Sequence, residues 1–446
     1  MIEPFAVLEQ IRDALLKKGA QEVVLAFTRG RGKELKFVNN KIIKISNGTS
    51  ESASIFAVFD KKIVLTNILS FDPENIKKCI ADIEAFSKHL EPKPDYFGIA
   101  KGPFKYSSIE NIYDPKISEI SEKEILELAG QGIDAALQEG AKRTGGILEI
   151  GEEESFLLTS GDVKATEKST SAYFSIRALL DKTASGHATV AETNLQKFDT
   201  ASTGHVAGKF SKMAKGPKKI EPGKYDVLFS PLAFAALLEF IGGALSIYNV
   251  EVGLSPFANK IGQQVAPKFV NLYDDGRLPG GLGSGICDAE GVPTQRTQTI
   301  GAGVLKSYLY NTSYAKKYNT KSTANAGLIA PRPTNIILEP GKSDVEDLIK
   351  DIKRGIYITN LWYTRFQNYF TGDFSTIPRD ATFLIENGEL KPIKEIRLSD
   401  NILKLLQNIS GIARDQRQIL SWEVGTPTWC SHVAVRDLNI TKPVGA

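Results

Sequence analysis

One carboxylate stands alone in the most apolar stretch of the sequence. Between Asp226 and Glu251 the only charged residue is Glu239, within Leu232-Ala-Phe-Ala-Ala-Leu-Leu-Glu-Phe-Ile-Gly-Gly-Ala-Leu-Ser246. A helix apolar on every side is a buried helix, so the Glu239 carboxylate has to be hydrogen-bonded, paired or protonated. Two readings follow: a structural glutamate bonded to backbone or to an arginine of a neighbouring strand, and a group poised for general acid–base work. Further along, Cys430 and His432 stand two residues apart, a spacing that puts both on one face of a strand. Both are zinc-ligand types, but two ligands fall short of the three or four that a zinc ion takes, and the pair equally suits a structural face. The chain offers metal chemistry little else. It has four histidines (His89, His187, His205 and His432) and three widely spaced cysteines (Cys79, Cys287 and Cys430), with no CxxC pair. A disulfide framework or a tetrathiolate site is therefore not expected, and Cys79 and Cys287 read as small buried hydrophobes or loop residues.

A glycine cluster at residues 280–285 looks at first like a phosphate cradle. No Lys-Ser/Thr follows it and no strand-to-helix context surrounds it, so a loop is expected instead. Gly301-Ala-Gly303 lies between two β-like runs and reads as a hairpin turn needing positive φ.

The elements that would position these groups follow from periodicity. Residues 2–18 space Phe5, Leu8, Ile11, Leu15 and Leu16 as an amphipathic helix stopped at Gly19. Residues 22–67 alternate as strands, with turns expected at Gly30-Arg31-Gly32, Asn47-Gly48 and Asp60-Lys61-Lys62. Asp72 is placed to cap a helix that begins at Pro73 and runs to about residue 90, and residues 91–103, with spaced prolines, read as a linker. A Ser121-x-x-Glu124 box opens a third helix, residues 121–140. Strands at 146–160, 172–180 and 185–193 and a helix at 202–215 come next. The Pro- and Gly-rich, basic stretch 215–223 reads as the main boundary. Beyond it come a strand at 225–229, the apolar helix from Pro231, strands at 336–338, 356–361, 363–369 and 382–386, an Asn387-Gly388 hairpin, and a helix at 400–410. This pattern predicts an α+β protein, with helix-plus-antiparallel-meander segments first and a larger mixed β-rich domain last. The expected divisions are 1–100, 101–220 and 221–446.

The chain has 446 residues, 55 basic and 52 acidic, for a formal charge of +3. That size suits two or three domains. The charge is spread along the sequence, without the basic footprint of a nucleic-acid binder, and the basic residues 209–224 read as a solvated linker. No apolar run approaches a bilayer span, and Met1-Ile2-Glu3-Pro4-Phe5 is not a signal-peptide start, so a cytoplasmic protein with no nucleic-acid or membrane partner is expected.

From about Tyr225 onward the sequence resembles the TldD/PmbA family, also labelled modulators of DNA gyrase, whose members pair as TldD-type and TldE (PmbA)-type subunits of a metallopeptidase. The resemblance rests on Asp288-Ala-Glu-Gly-Val-Pro293, Ile300-x-x-Gly303-Val-Leu-Lys-x-Tyr308 and Lys321-Ser-Thr-Ala-Asn-Ala-Gly327. It also rests on Pro331-Arg-Pro-Thr-Asn335, Leu338-Glu-Pro-Gly-Lys342, Gly355-Ile-Tyr357 and Phe383-Leu-Ile-Glu-Asn-Gly388, in order over about 200 residues. In TldD-type subunits the buried helix carries His-Glu-x-x-x-His. The two histidines hold zinc, the glutamate is general base on the metal-bound water, and a late cysteine completes the set. The matching stretch here is Leu238-Glu239-Phe240-Ile241-Gly242-Gly243: the glutamate position is kept and both histidine positions are replaced, by Leu238 and Gly243. Cys430-Ser431-His432 resembles a Cys-Gly-Ser segment of PmbA-type chains, with Ser431 in place of Gly.

The resemblance thus implies a non-catalytic TldE-type subunit that joins a TldD-type chain to act on unfolded or extended peptides, with Glu239 a vestigial general-base position. No cofactor is expected in this chain; zinc is expected in the TldD-type partner. A dimer is expected, with that partner or with itself when alone, and the aromatic segment 362–370 suits an interface or a core equally. Two alternatives stand beside it: an autonomous hydrolase with a rearranged site of Glu239, Cys430 and His432, and a non-enzymatic modulator that binds another protein.

Overall fold

The computed structural model describes residues 3–442, so the expected helix start at Ile2 lies outside the described residues. The fold is α+β. Its first sheet has six antiparallel strands, in the spatial order Lys62–Ile68, Lys41–Phe59, Glu22–Val38, Arg143–Thr159, Lys164–Leu179 and Ser185–Glu192. Two meanders meet where Glu22–Val38 pairs with Arg143–Thr159, so one sheet runs across position 100. Side chains alternate along a strand, so Val23, Leu25 and Phe27 share a face with Leu35 and Phe37 at the other end of the same strand. Helices Pro4–Lys17 and Pro73–Ser87 cover the first group, and Glu122–Gln138 and Thr200–Met213 cover the second. Local signals set these helices as expected. Asp72 accepts from Asn75 N–H with Pro73 at the first helical position, and Ser121 and Glu124 form a reciprocal capping box.

Two expected turns are absent. Gly30-Arg31-Gly32 and Asn47-Gly48 lie inside long strands, with Gly32 opposite both Gly48 and Gly151. The chain reverses instead at Asn39-Asn40, where φ is 51° and 68°. A tight hairpin needs positive φ at both central residues, and asparagine tolerates it because its side chain bonds locally. Asn40 Oδ1 accepts from Thr144 N–H (2.7 Å) and Oγ1 (3.0 Å), and its Nδ2 donates to the Lys142 carbonyl (3.0 Å). Asn40→Ala is expected to lower stability by about 1 kcal/mol, read as a drop in urea midpoint without a change in slope. The presumed linker is not free chain either: Ile99 and Ala100 are buried, and Phe97 N–H donates to Ser313 Oγ (2.9 Å) in the C-terminal part.

The remainder holds two sheets. One has nine strands, in the order Leu361–Asn368, Asp373–Pro378, Arg397–Asn401, Val433–Thr441, Gly223–Phe229, Arg354–Ile358, Thr382–Glu386 and Glu389–Pro392, with Ile409–Ile412 beside Val433–Thr441. The other orders Val304–Leu305, Arg296–Gly301, Leu272–Asp275, Ile336–Leu338, Val424–Cys430 and Arg417–Ser421. Parallel pairs (Arg354–Ile358 with Gly223–Phe229, and Ile336–Leu338 with Val424–Cys430) make both sheets mixed. The helix Pro231–Ala244 lies in the largest hydrophobic cluster, against strands of both sheets. Its apolar character on every side is what such a position requires. Ser230 caps it through Ala233 N–H (3.2 Å), and Pro231 occupies its first turn. Among the described residues no helix is long and apolar enough to cross a membrane.

Candidate functional site

The helix Pro231–Ala244 delivers Glu239 to a cavity of about 440 Å³. Residues around it have nearly all turned inward: Phe234, Leu237 and Leu238 are fully buried. The Glu239 side chain is half-buried and points to strand Val424–Cys430, where Thr426 N–H donates to Oε2 (2.8 Å) and Thr426 Oγ1 donates to Oε1 (3.0 Å). Burial pushes its pKa above the ordinary carboxylate value, and the two Thr426 bonds pull the other way. Of the two partners that the sequence allowed, the structure has the backbone one, the Thr426 N–H, joined by the hydroxyl of the same residue, and among the described residues no arginine bonds Glu239. Phe240, Phe257, Phe366 and Tyr369 form aromatic walls of the same cavity.

Zinc does not fit this donor set. Leu238 is a fully buried hydrocarbon, and Gly243, on the cavity side, carries no side chain. Thr426 lies four residues before Cys430 on one strand, about 13 Å along it. The Glu239 carboxylate is bound to the near end of that strand, and Cys430 lies at the far end. The Cys430 thiol donates to the Ser431 carbonyl (3.1 Å), and complete burial drives its pKa well up. His432 is buried with both ring nitrogens engaged: Nδ1 with Asp415 Oδ2 (2.7 Å) and Nε2 with the Tyr357 hydroxyl (3.0 Å). With Nδ1–H donating to the carboxylate, Nε2 accepts from Tyr357.

The rearranged trio of Glu239, Cys430 and His432 is therefore divided among separate bonding networks. The other histidines give no substitute: His187 is bonded to Ser175 (2.9 Å) and Asn360 (3.0 Å), His205 faces Glu139 (3.0 Å), and His89 lines a groove by strand Lys62–Ile68. Among the described residues no group of three or more His, Cys, Asp or Glu is arranged to hold a metal ion.

A second polar centre lay hidden in the residues that carried the resemblance. Asp274 accepts from Thr334 N–H (2.6 Å), Thr334 Oγ1 (3.0 Å) and Asn325 Nδ2 (2.5 Å). Asp288 accepts from the N–H groups of Glu290 (2.9 Å), Val292 (3.0 Å) and Ala326 (3.0 Å). Asn335 ties down the glycine loop, accepting from Gly283 N–H (2.9 Å) and donating to Ser284 Oγ (3.0 Å). The glycines permit close approach: a Cβ on Gly283 would lie 2.1 Å from the Thr334 carbonyl oxygen. These short polar motifs thus fasten loops to one another. They also border a cleft of about 400 Å³ against the first sheet, where Glu167 accepts from Ile286 N–H (3.0 and 3.1 Å). Burial raises Glu167 to about 7 and Asp274 and Asp288 to about 6. The only sequence signal for this hub was the recurrence of Asp and Asn beside Gly and Pro.

The α+β scaffold thus holds a buried helix whose one glutamate stands between Leu238 and Gly243, neither of which has a metal-binding side chain. Residues 222–442 match the family model described as PmbA/TldA metallopeptidase C-terminal domain, and residues 23–85 match the one described as PmbA/TldA metallopeptidase domain 1. The chain belongs to the PmbA/TldD family. It is 27% identical to the uncharacterized protein MJ0231 of Methanocaldococcus jannaschii over 401 residues, 88% of this chain and 91% of that one. To a metalloprotease TldD homolog of Buchnera aphidicola subsp. Acyrthosiphon pisum it is 34% identical over 186 residues, only 40% of this chain and 38% of that one. Among solved structures it is similar to TldE of Thermococcus kodakarensis, with a TM-score of 0.87 and 24% identity, covering 98% of this chain and 100% of that one. A proposed modulator of a DNA gyrase from Thermotoga maritima MSB8 gives a TM-score of 0.86 at 24% identity, covering 98% and 99%. At these identities the likenesses define the fold.

Proposed function

We propose that this chain is a non-catalytic, TldE/PmbA-type subunit that forms a cytoplasmic heterodimer with a TldD-type zinc peptidase and helps it act on unfolded or extended peptides. One observation supports the reading: Glu239, at the position that the family resemblance gives to the general base, is flanked by a core leucine at 238 and a glycine at 243. Without ligands there is no metal-bound water for Glu239 to deprotonate, and Thr426 holds both its oxygens. The contribution of the chain is then to capture substrate and close the partner's site. Strand Leu361–Asn368 ends the nine-stranded sheet, and Phe366 from it lines the Glu239 cavity. An extended peptide adding main-chain hydrogen bonds at such an edge would run past that cavity with little demand on its sequence.

The purified chain is expected to hold substoichiometric zinc and to leave unfolded casein uncut. Mixing it with a TldD-type chain that carries His-Glu-x-x-x-His is expected to raise chelator-sensitive cleavage at least about tenfold over that chain alone. Chelator-sensitive cleavage by the lone chain, or no gain on mixing, would refute the assignment.

A further inference from the structure

The Glu239 cavity has a property that a mere remnant of a metal site does not need. Among the residues lining it, Glu239 carries the only charge. Its two bonds come from neutral donors of Thr426, one on each oxygen, so the carboxylate is hydrogen-bonded but has no counterion among the described residues, and each oxygen keeps a free lone pair. Around it stand mainly π faces: Phe240 and Phe366 have ring centroids 4.8 Å apart, Phe366 stacks on Tyr369 at 5.2 Å, and the one lining amide, Asn249, donates to the Gly243 carbonyl (2.8 Å). The helix leaves room beside the carboxylate, because a Cβ built on Gly243 meets nothing within 4 Å. A desolvated anion among aromatic faces is complementary to a cation on an aliphatic stem. The stem covers the rings, and the charged head meets the carboxylate and the π faces.

We infer that the Glu239 cavity is a subsite for a cationic side chain, lysine or arginine, of a bound peptide. The identity of the carrier rests on the peptide-capturing role proposed above; the cation preference rests on the cavity alone. It would give an otherwise sequence-tolerant subunit a preference at one position of the substrate.

Ligand-observed NMR titration tests it with blocked amino acids: Nα-acetyl-lysine, Nα-acetyl-arginine and Nα-acetyl-norleucine N-methylamides, on the full chain. Both cationic probes are expected to bind at least about tenfold more tightly than norleucine, which has a comparable stem without the charge. Glu239→Gln should bring the ratio to near one. Gly243→Leu, which fills open space on the helix, should remove binding of all three; its thermal midpoint reports that it folds. Equal affinity of the three probes for the unaltered chain, no measurable binding of any, or a cation preference that survives Glu239→Gln would each overturn the subsite. The probes carry no extended backbone, so such a failure leaves the partner-subunit assignment to be judged by the cleavage of casein in mixed chains.

Discussion

Glu290→Gln is expected to stabilise the protein at pH 8 by several kcal/mol and to change it little at pH 5. Glu290 is buried in the loop that Asp288 organises, with Oε2 accepting from Thr312 N–H (3.3 Å). Burial, and next the nearby Asp288, push its carboxyl up to about 8. The unfolded chain releases that proton near the ordinary value of 4.5. Between these values the folded protein binds more protons than the unfolded one, so stability falls as pH rises from about 5 to 8. Asp288 and Asp274, at about 6, and Glu167, at about 7, contribute with the same sign over narrower windows. Glutamine keeps an oxygen for Thr312 and has nothing to ionise, so its curve of unfolding free energy against pH should be flatter than that of the unaltered chain. Parallel curves between pH 5 and 8 would show that Glu290 does not titrate there. The amplitude follows from the low-dielectric setting, since ionising a buried acid beside another acid is opposed by desolvation and by repulsion together.

The second large effect separates two adjacent glycines of one helix. A Cβ on Gly242 would lie 2.3 Å from Ile336 Cδ1 and 2.9 Å from its Cγ1, in the core where Ile336 is buried on the central strand Ile336–Leu338. Gly242→Ala should therefore cost about 2 kcal/mol net: overpacking of about 3 kcal/mol, offset by the helix propensity that alanine gains. Gly243→Ala meets open cavity and should stabilise by up to about 1 kcal/mol. Chemical denaturation of both variants checks the contrast, and equal effects at the two positions would mean that the helix does not seat on Ile336 as described. The same contrast explains why one glycine is bound to the fold while its neighbour faces the site.

Legibility varied with the range of the interaction. The capping box at Ser121, the Asp72-Pro73 start and the Asn387-Gly388 turn act within four residues, so the sequence displays them and the structure has them, with φ of 50° and 82° at Asn387 and Gly388. Gly30-Arg31-Gly32 misled because glycine signals both turns and strand crossings. The deciding fact, the pairing of Gly32 with Gly48 and Gly151, requires three strands to be side by side. Likewise the Asp288 and Pro331 motifs were visible as patterns, but their role as mutual fasteners emerges only when Ala326 and Thr334 are brought to Asp288 and Asp274.

Composition and local pattern were enough to establish a chain with few histidines and cysteines, an α+β fold, and a buried helix with one carboxylate flanked by leucine and glycine. Residue identity alone decides the last of these: Leu238 and Gly243 offer no side-chain donor atom wherever they sit. The state of Glu239 was beyond such reasoning, because its partner Thr426 lies 187 residues away and arrives only through sheet pairing. The bonding of His432 to Asp415 and Tyr357 and the aromatic walls around Glu239 come about in the same way. Burial and bonding of a side chain are properties of its neighbours in space, and for these groups the neighbours come from distant strands.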